Sequence, residues 1–273
     1  MEFTKMHGLG NDFIIFEDNN EPKDWSSIAL RLCERRLSVG ADGILLVLPS
    51  DKADIRMRVI NADGSEAEMC GNGIRCFAKY VYENGIVSKT DMTVETLAGI
   101  IRPKLNMENG KISDVSVDMG LPVFERALIP MTGKESAFNV QIKAGGKKVI
   151  VNSLLMNVPH TVVITDCLED KDIGTLGPAI EKHEIYPQKT NVNFVRVLDK
   201  ENIRVRTWER GAGFTLACGT GACASVVTTH KKDLTGHKVT VHLPAGKMVI
   251  EIMKDGRVIM TGPAKRVYKA VLT

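Results

Sequence analysis

The sequence predicts an α+β protein of two pseudo-symmetric, β-rich domains, each wrapped around a central helix, with the active site in the cleft between them. Three observations carry this expectation. A segment of the first half recurs in the second at one fixed offset, short β-branched runs bounded by turn residues fill most of the chain, and helical spacing follows each of two similar glycine motifs.

The repeat is read from its cysteines. Cys70 and Cys218 lie 148 residues apart, and at that offset Asp54 to Gly73 (DIRMRVINADGSEAEMCGNG) matches Asn202 to Gly221 (NIRVRTWERGAGFTLACGTG) without a gap. Ile55, Arg56, Arg58, Cys70, Gly71 and Gly73 recur as Ile203, Arg204, Arg206, Cys218, Gly219 and Gly221. With one gap, Thr93-Val94 and Ala98-Gly99 also match Thr240-Val241 and Ala245-Gly246. A single period of this length describes a duplicated domain, because solenoid repeats are far shorter.

In chain order, Phe13 to Phe16 and Ile44 to Leu48 read as strands, followed by the half-buried alternation of Ile55, Met57 and Val59. After Cys70, Ile74, Phe77, Ala78, Val81 and Tyr82 recur at helical spacing, and Asn84-Gly85 supplies a stop. Met92 to Leu97 and Val115 to Gly120 complete the first half. The second half repeats the plan with Val149 to Leu155, Thr161 to Ile164, Phe194 to Leu198 and the alternation Ile203, Val205, Thr207. Its helix carries smaller residues, Ala222, Ser225, Val226 and Thr229, as a helix tightly enclosed by sheet requires, and Val258 to Gly262 closes it. The expected division is 1–117 and 118–262, with 263–273 returning to the first domain.

Composition bounds the function. The 273 residues are 44% apolar and 25% charged, and 36 basic against 33 acidic residues are scattered without any Lys/Arg run longer than two. That pattern favours neither nucleic acid nor an anionic membrane as partner. No basic segment followed by an apolar run opens the chain, so a signal peptide is not expected. Nor is a transmembrane helix. Six sparse cysteines fit reduced thiols in the cytoplasm rather than a secreted disulfide scaffold.

A strand, a glycine turn and then a helix leave backbone N–H groups unpaired at the helix start, where the peptide dipoles add positive charge. Gly71, Gly73, Gly219 and Gly221 would let an anion reach that backbone. Cys70 and Cys218, one at each start, are expected to have lowered thiol pKa values. Facing one another across a cleft, they would suit stereoinversion, in which a proton leaves one face of an sp³ carbon and returns on the other. Plainer roles remain for the other cysteines. Cys33, Cys76, Cys167 and Cys223 read as small buried hydrophobes. A zinc site from Cys70, Cys76, Cys218 and Cys223 has loose spacing. A regulatory Cys70–Cys218 disulfide would make the chain a thiol redox or ligand-binding module. G-x-G alone is a weak nucleotide signal.

Over its whole length the sequence resembles the diaminopimelate epimerases. The carriers are FTKMHGLGNDFI at 3–14, NADGSEAEMCGNGIRC at 61–76, Pro159-His160, NVNFV at 191–195 and WERGAGFTLACGTGACA at 208–224. The resemblance implies a cofactor-independent, metal-free isomerase that interconverts LL- and meso-diaminopimelate for lysine and peptidoglycan precursors by two-base proton transfer. It implies Cys70 and Cys218 as the catalytic pair. Gly71, Asn72, Gly219 and Thr220 would receive the carboxylate at the reacting centre. Asn11, Asn61, Asn191, Glu209 and Arg210 would bind substrate, His160 and Glu209 would tune the thiols, and Tyr268 would be a dimer contact in a homodimer. One departure stands out: Val158 occupies the place where the family usually has a substrate-binding asparagine, which leaves open a racemase or isomerase of another amino acid.

Overall fold

The computed structural model describes residues 1–18 and 23–272. In chain order the first half contains β1 (Glu2–Gly8), β2 (Asn11–Glu17), α1 (Trp25–Leu32), β3 (Gly43–Leu48), β4 (Ile55–Asn61), β5 (Glu66–Ala67), α2 (Gly71–Glu83), β6 (Val94–Thr96), β7 (Gly99–Ile101), β8 (Pro103–Glu108) and β9 (Lys111–Asp118). The second contains β10 (Val140–Ala144), β11 (Lys147–Met156), β12 (Val158–Ile164), α3 (Asp170–Glu181), β13 (Asn191–Val197), β14 (Asn202–Glu209), β15 (Gly213–Thr215), α4 (Gly219–Lys231), β16 (Lys238–Leu243), β17 (Gly246–Ile252) and β18 (Val258–Gly262), before a last strand, β19 (Lys265–Val271). The chain forms two compact units, Met1–Asp118 with Thr261–Thr273, and Met119–Met260.

The first unit holds strands in the order β19-β1-β2-β3-β4-β6-β7, with β5 paired to β4. Neighbours are antiparallel except for the β2–β3 and β4–β6 pairs, which are parallel. β3, Gly-Ile-Leu-Leu-Val-Leu, is buried at every position because both its faces are covered. On one face Phe3, Ile14, Phe16, Ile44, Leu46 and Ile60 pack with Trp25, Ala29 and Leu32 of α1. The opposite face receives α2, which packs against β1 to β4 and the β8–β9 hairpin. Ile74, Phe77, Ala78 and Val81 supply its buried stripe. Asn84 caps α2 by closing on Tyr80, and Gly85 follows at a positive φ of 71°, the expected helix stop.

The second unit repeats the plan with strand order β10-β11-β12-β13-β14-β16-β17, extended by β18, and with β15 paired to β14. Here β12–β13 and β14–β16 are the parallel pairs. α4 is buried at Gly219 and from Gly221 through Thr229, against β11 to β14, β16 and β17. Ala222, Ala224, Ser225 and Val226 are the small side chains that this enclosure demands.

Two elements go beyond the sequence reading. α1 and α3 cover the outer face of each sheet, and α3 packs on β10, β13, β14 and β15. Its Gly177 lies so close to Trp208 that a Cβ there would stand 2.7 to 2.9 Å from three Trp208 atoms. The closeness lets Trp208 Nε1 donate to buried Glu181 at 2.8 Å, and the other Glu181 oxygen accepts from Gly211 N at 3.2 Å. α3 therefore holds the Trp208–Gly211 turn.

Gly177→Ala should lower stability by about 1–3 kcal/mol through overpacking. Gly174→Ala, whose Cβ would meet Phe214 at an ordinary 3.6 Å, should be neutral or mildly stabilising. Urea unfolding midpoints of the two variants test the contrast.

Candidate active site

Each unit places a cysteine as the N-cap of its central helix, in extended backbone just before the first turn. Cys70 is half-buried and its sulfur accepts from Gly73 N at 3.3 Å. It also lies 3.8 Å from Asn11 Oδ1 as a donor. Asn11 is held in a fixed sense, because its Nδ2 donates to the Asp42 carboxylate at 2.6 Å while its Oδ1 accepts from Asn72 Nδ2 at 3.1 Å. Arg35 in turn clamps Asp42 and Asp12, at 2.7 and 2.6 Å.

Behind this head stands Arg75, fully buried in α2. Its guanidinium donates to Gly71 O at 2.9 Å, Asn72 Oδ1 at 2.8 Å and Pro263 O at 3.5 Å. The returning C-terminal segment is thus tied to the helix start that carries Cys70. Asn61 sits in the β4–β5 turn, where its amide donates to Ser65 Oγ at 3.0 Å and its backbone N–H to Ser65 O at 2.8 Å.

In the second unit Cys218 is buried, with its sulfur 3.5 Å from Thr220 Oγ1. Burial pushes its thiol pKa upward, and the charge of Glu209 pushes the same way. This corrects the expected lowering at Cys218: removal from water outweighs the helix dipole and the Thr220 hydroxyl. Asn191 ties two segments together, donating from Nδ2 to Pro159 O at 3.0 Å and accepting Arg210 N at 2.9 Å. The exposed Arg210 side chain donates to Gln188 O at 3.0 Å. His160 is wholly buried and its Nδ1 lies 3.1 Å from Asn193 Nδ2. Burial, then the nearby Arg210, lower its pKa to about 3, so it is neutral near physiological pH.

Val158 is exposed beside Asn157, whose φ of 62° is left-handed, a conformation asparagine tolerates better than most residues. Tyr268, on β19, is exposed and packs edge-on against Phe3 with ring centroids 6.0 Å apart.

The remaining cysteines divide. Cys33, Cys76 and Cys223 are buried, and burial raises Cys33 and Cys76 to about 11 and about 12. Cys167 corrects the expectation of a buried hydrophobe: it is exposed in the loop before α3, donating to Asp172 at 3.2 Å. Among the described residues, the His, Cys and carboxylate group close enough to share a metal ion is exposed Cys167, Glu169 and Asp172, with ligand atoms within 4.8 Å. Sequence reasoning did not single out Asp42, Asn193, Thr207 or Arg75. A signal existed for Asn193: it lies two residues from Asn191, hence on the same face of a strand whose other residues, apart from Arg196, are Val and Phe.

Duplicated units of sheet around a central helix place the chain in a fold class that solved structures share. The phenazine biosynthesis protein of the PhzF family from Bacillus anthracis superposes with a TM-score of 0.73 at 17% identity, covering 100% of this chain and 99% of that one. A probable proline racemase from Agrobacterium radiobacter superposes at 0.70 and 16% identity, covering 100% and 92%.

Within that class, the chain belongs to the diaminopimelate epimerase family, whose sequence model matches residues 3–125 and 152–267. It is 52% identical over 270 residues to the diaminopimelate epimerase of Caldanaerobacter subterraneus subsp. tengcongensis, covering 98% of each chain. It is 50% identical over 279 residues to that of Heliobacterium modesticaldum, covering 100% and 99%. The family makes it an isomerase. Among the described residues no helix is long and apolar enough to cross a membrane.

Neutral burial of His160 couples stability to acid. Between the ordinary value of 6.5 and about 3, the unfolded chain binds a proton that the folded chain does not. This contribution is complete above 6.5 and is lost as the pH falls towards 3, at up to about 1.4 kcal/mol per pH unit. Urea midpoints should therefore fall more steeply with acidification in the wild type than in His160→Gln.

Proposed function

We propose that the chain interconverts LL- and meso-diaminopimelate by two-base proton transfer between carbon and sulfur, with neither a pyridoxal cofactor nor a metal. The observation that carries this reading is that a cysteine caps the same helix in both copies of a duplicated fold. Inversion needs a proton-transfer group on each face of the carbon, and two of one chemical kind allow either stereoisomer to serve as substrate. The diaminopimelate epimerases at about half identity over nearly the whole chain support the substrate.

In each turnover one sulfur, as thiolate, takes the α-proton. The C–H pair then delocalises into the adjacent carboxylate as an enolate-like species. The other sulfur, as thiol, delivers its proton to the opposite face, so atoms and charge balance and the two sulfurs exchange states. Burial keeps the Cys218 thiol protonated at rest, which suits it to deliver the proton. Gly71, Asn72, Gly219 and Thr220 offer helix-start groups to the carboxylate as charge develops. Arg210, with two donors in a fork, pairs the distal carboxylate, beside Asn191 and Glu209. Asn11 and Asn61 bind the substrate from the first unit, and His160 and Glu209 tune the thiols. The enzyme acts in the cytoplasm on lysine and peptidoglycan precursors, as a homodimer with Tyr268 at its contact.

Val158 favours one second reading, a racemase or epimerase of another amino acid. A solved structure of the same fold is a hydroxyproline epimerase from Agrobacterium vitis with bound trans-4-hydroxy-L-proline.

Incubation in deuterated water tests both readings. Wild-type protein should wash deuterium into the α-position of diaminopimelate and invert it, whereas Cys70→Ala and Cys218→Ala should each abolish net inversion. Full inversion without either cysteine would end the two-base reading, and exchange confined to another amino acid would promote the second. On the diaminopimelate reading, Val158→Asn restores a hydrogen bond to substrate of roughly 1 kcal/mol. KM should then fall about fivefold with kcat little changed, as uniform binding predicts.

A further inference from the structure

The duplication supplies an internal comparison for the buried polar cluster around His160. In the first unit β3 pairs Leu45 with Val59, and in the second β13 pairs Asn193 with Thr207. The parallel neighbours extend the match: Ile15 lies opposite Leu45, and Val162 opposite Asn193. Two residues earlier on each of those strands stand Phe13 and His160. The helix heads agree, since a Cβ on Gly73 would meet Leu45 Cδ2 at 3.2 Å and one on Gly221 would meet Asn193 Oδ1 at 2.3 Å. The fold thus forms with Phe13, Leu45 and Val59 in one copy, and carries His160, Asn193 and Thr207 at the same places in the other. Packing does not require that polar set, and burying it is unfavourable unless it is hydrogen-bonded.

The hydrogen bonds have a fixed sense. The Thr161 carbonyl can only accept, and Asn193 Nδ2 faces it at 3.5 Å. The same Nδ2 stands 3.1 Å from His160 Nδ1, while Asn193 Oδ1 accepts from Thr207 Oγ1 at 3.0 Å. Nδ1 is therefore an acceptor, and the single ring proton of neutral His160 resides on Nε2. That Nε2 is buried without a hydrogen-bond partner among the described residues. A buried N–H left over after every neighbour is satisfied is a donor held for something that arrives.

We infer that Asn193 is a positioning residue that locks His160 as the Nε2–H tautomer, so that the ring serves catalysis as a neutral hydrogen-bond donor to negative charge rather than as a proton acceptor. The role in turnover rests on the epimerase reading above, whereas the tautomer does not. Thr207 supports the amide by donating its hydroxyl to Oδ1, a bond that holds the Asn193 side chain in place beside the ring.

Nitrogen–proton correlation NMR of the imidazole in the unliganded full chain tests this, with the His160 signals assigned by their loss in His160→Gln. Wild type should show a pyridine-like Nδ1 and a pyrrole-like Nε2. Asn193→Asp offers an acceptor where Nδ2 donated, so the proton should move to Nδ1. On that change kcat should fall roughly 100-fold, as when one preorganised donor is lost, with KM little changed. Thr207→Val, close in shape, should give a mixture of tautomers and a smaller loss of kcat, which keeps the test open if Asn193→Asp does not fold. A wild-type proton on Nδ1 would overturn the assignment, as would an inverted tautomer with kcat intact. An Nε2–H ring in a chain that exchanges no amino acid would support the hold of Asn193 and overturn the epimerase reading instead.

Discussion

A helix enclosed by β-sheet must start where backbone and sheet nearly touch, and both units are organised by that close approach. At the head of α2 a Cβ on Gly73 would lie 3.2 Å from both Leu45 and the Cys70 Cβ, and at the head of α4 a Cβ on Gly221 would lie 2.3 Å from Asn193. A Cβ does not fit at Gly221 unless Asn193 shifts, and at Gly73 it would be tight. The same closeness leaves the first-turn amides facing the capping cysteine rather than side chains. The motif that the sequence repeats is therefore also the motif that allows the fold.

From that shared design the two heads have diverged electrostatically. The first is supported by buried Arg75, satisfied by Gly71, Asn72 and the Pro263 carbonyl, and its cysteine keeps partial contact with solvent. At the equivalent place in the repeat stands Cys223, and α4 closes with Ser225 Oγ bonding Gly221 O at 2.7 Å. Burial of the sulfur, and then the charge of Glu209, raise the free energy of a thiolate at Cys218. Two groups identical in chemistry are thus placed in unlike environments.

The duplication, many of the strands, both central helices and the stop of the first were legible because hydrophobic period and glycine spacing are local signals. α3 was not, since Gly174, Gly177 and Pro178 are poor helix formers; Gly177 is there because Trp208 presses on the helix, a tertiary cause that leaves no local trace. α1 was missed as a short helix of eight residues with Leu30 exposed. The Cys218 pKa was misread because the dipole argument considers the helix alone, whereas burial depends on the sheet folded around it. Cys167 was misread because nothing in Ile164 to Asp170 distinguishes a buried from an exposed cysteine. Asn193 lay in view inside a matched motif, but its meaning depends on which strands flank it.

The amide side chains that the family motifs nominate are already committed to the protein. Asn11 spends its Nδ2 on Asp42 and its Oδ1 on Asn72, while Asn191 spends the corresponding atoms on Pro159 and Arg210. Each amide nitrogen retains a second proton, and the Asn191 oxygen a second lone pair, so each side chain keeps a group to offer. Its direction, however, is set before the ligand arrives. An asparagine free to rotate by half a turn would present donor and acceptor equally. The charged groups remove that freedom: Asp42, pinned by Arg35, can only accept. The ion-pair network around Arg35 thus contributes little through its own attraction at the surface. Its effect is to fix the sense of a neighbouring amide, and through Asn11 the surroundings of Cys70.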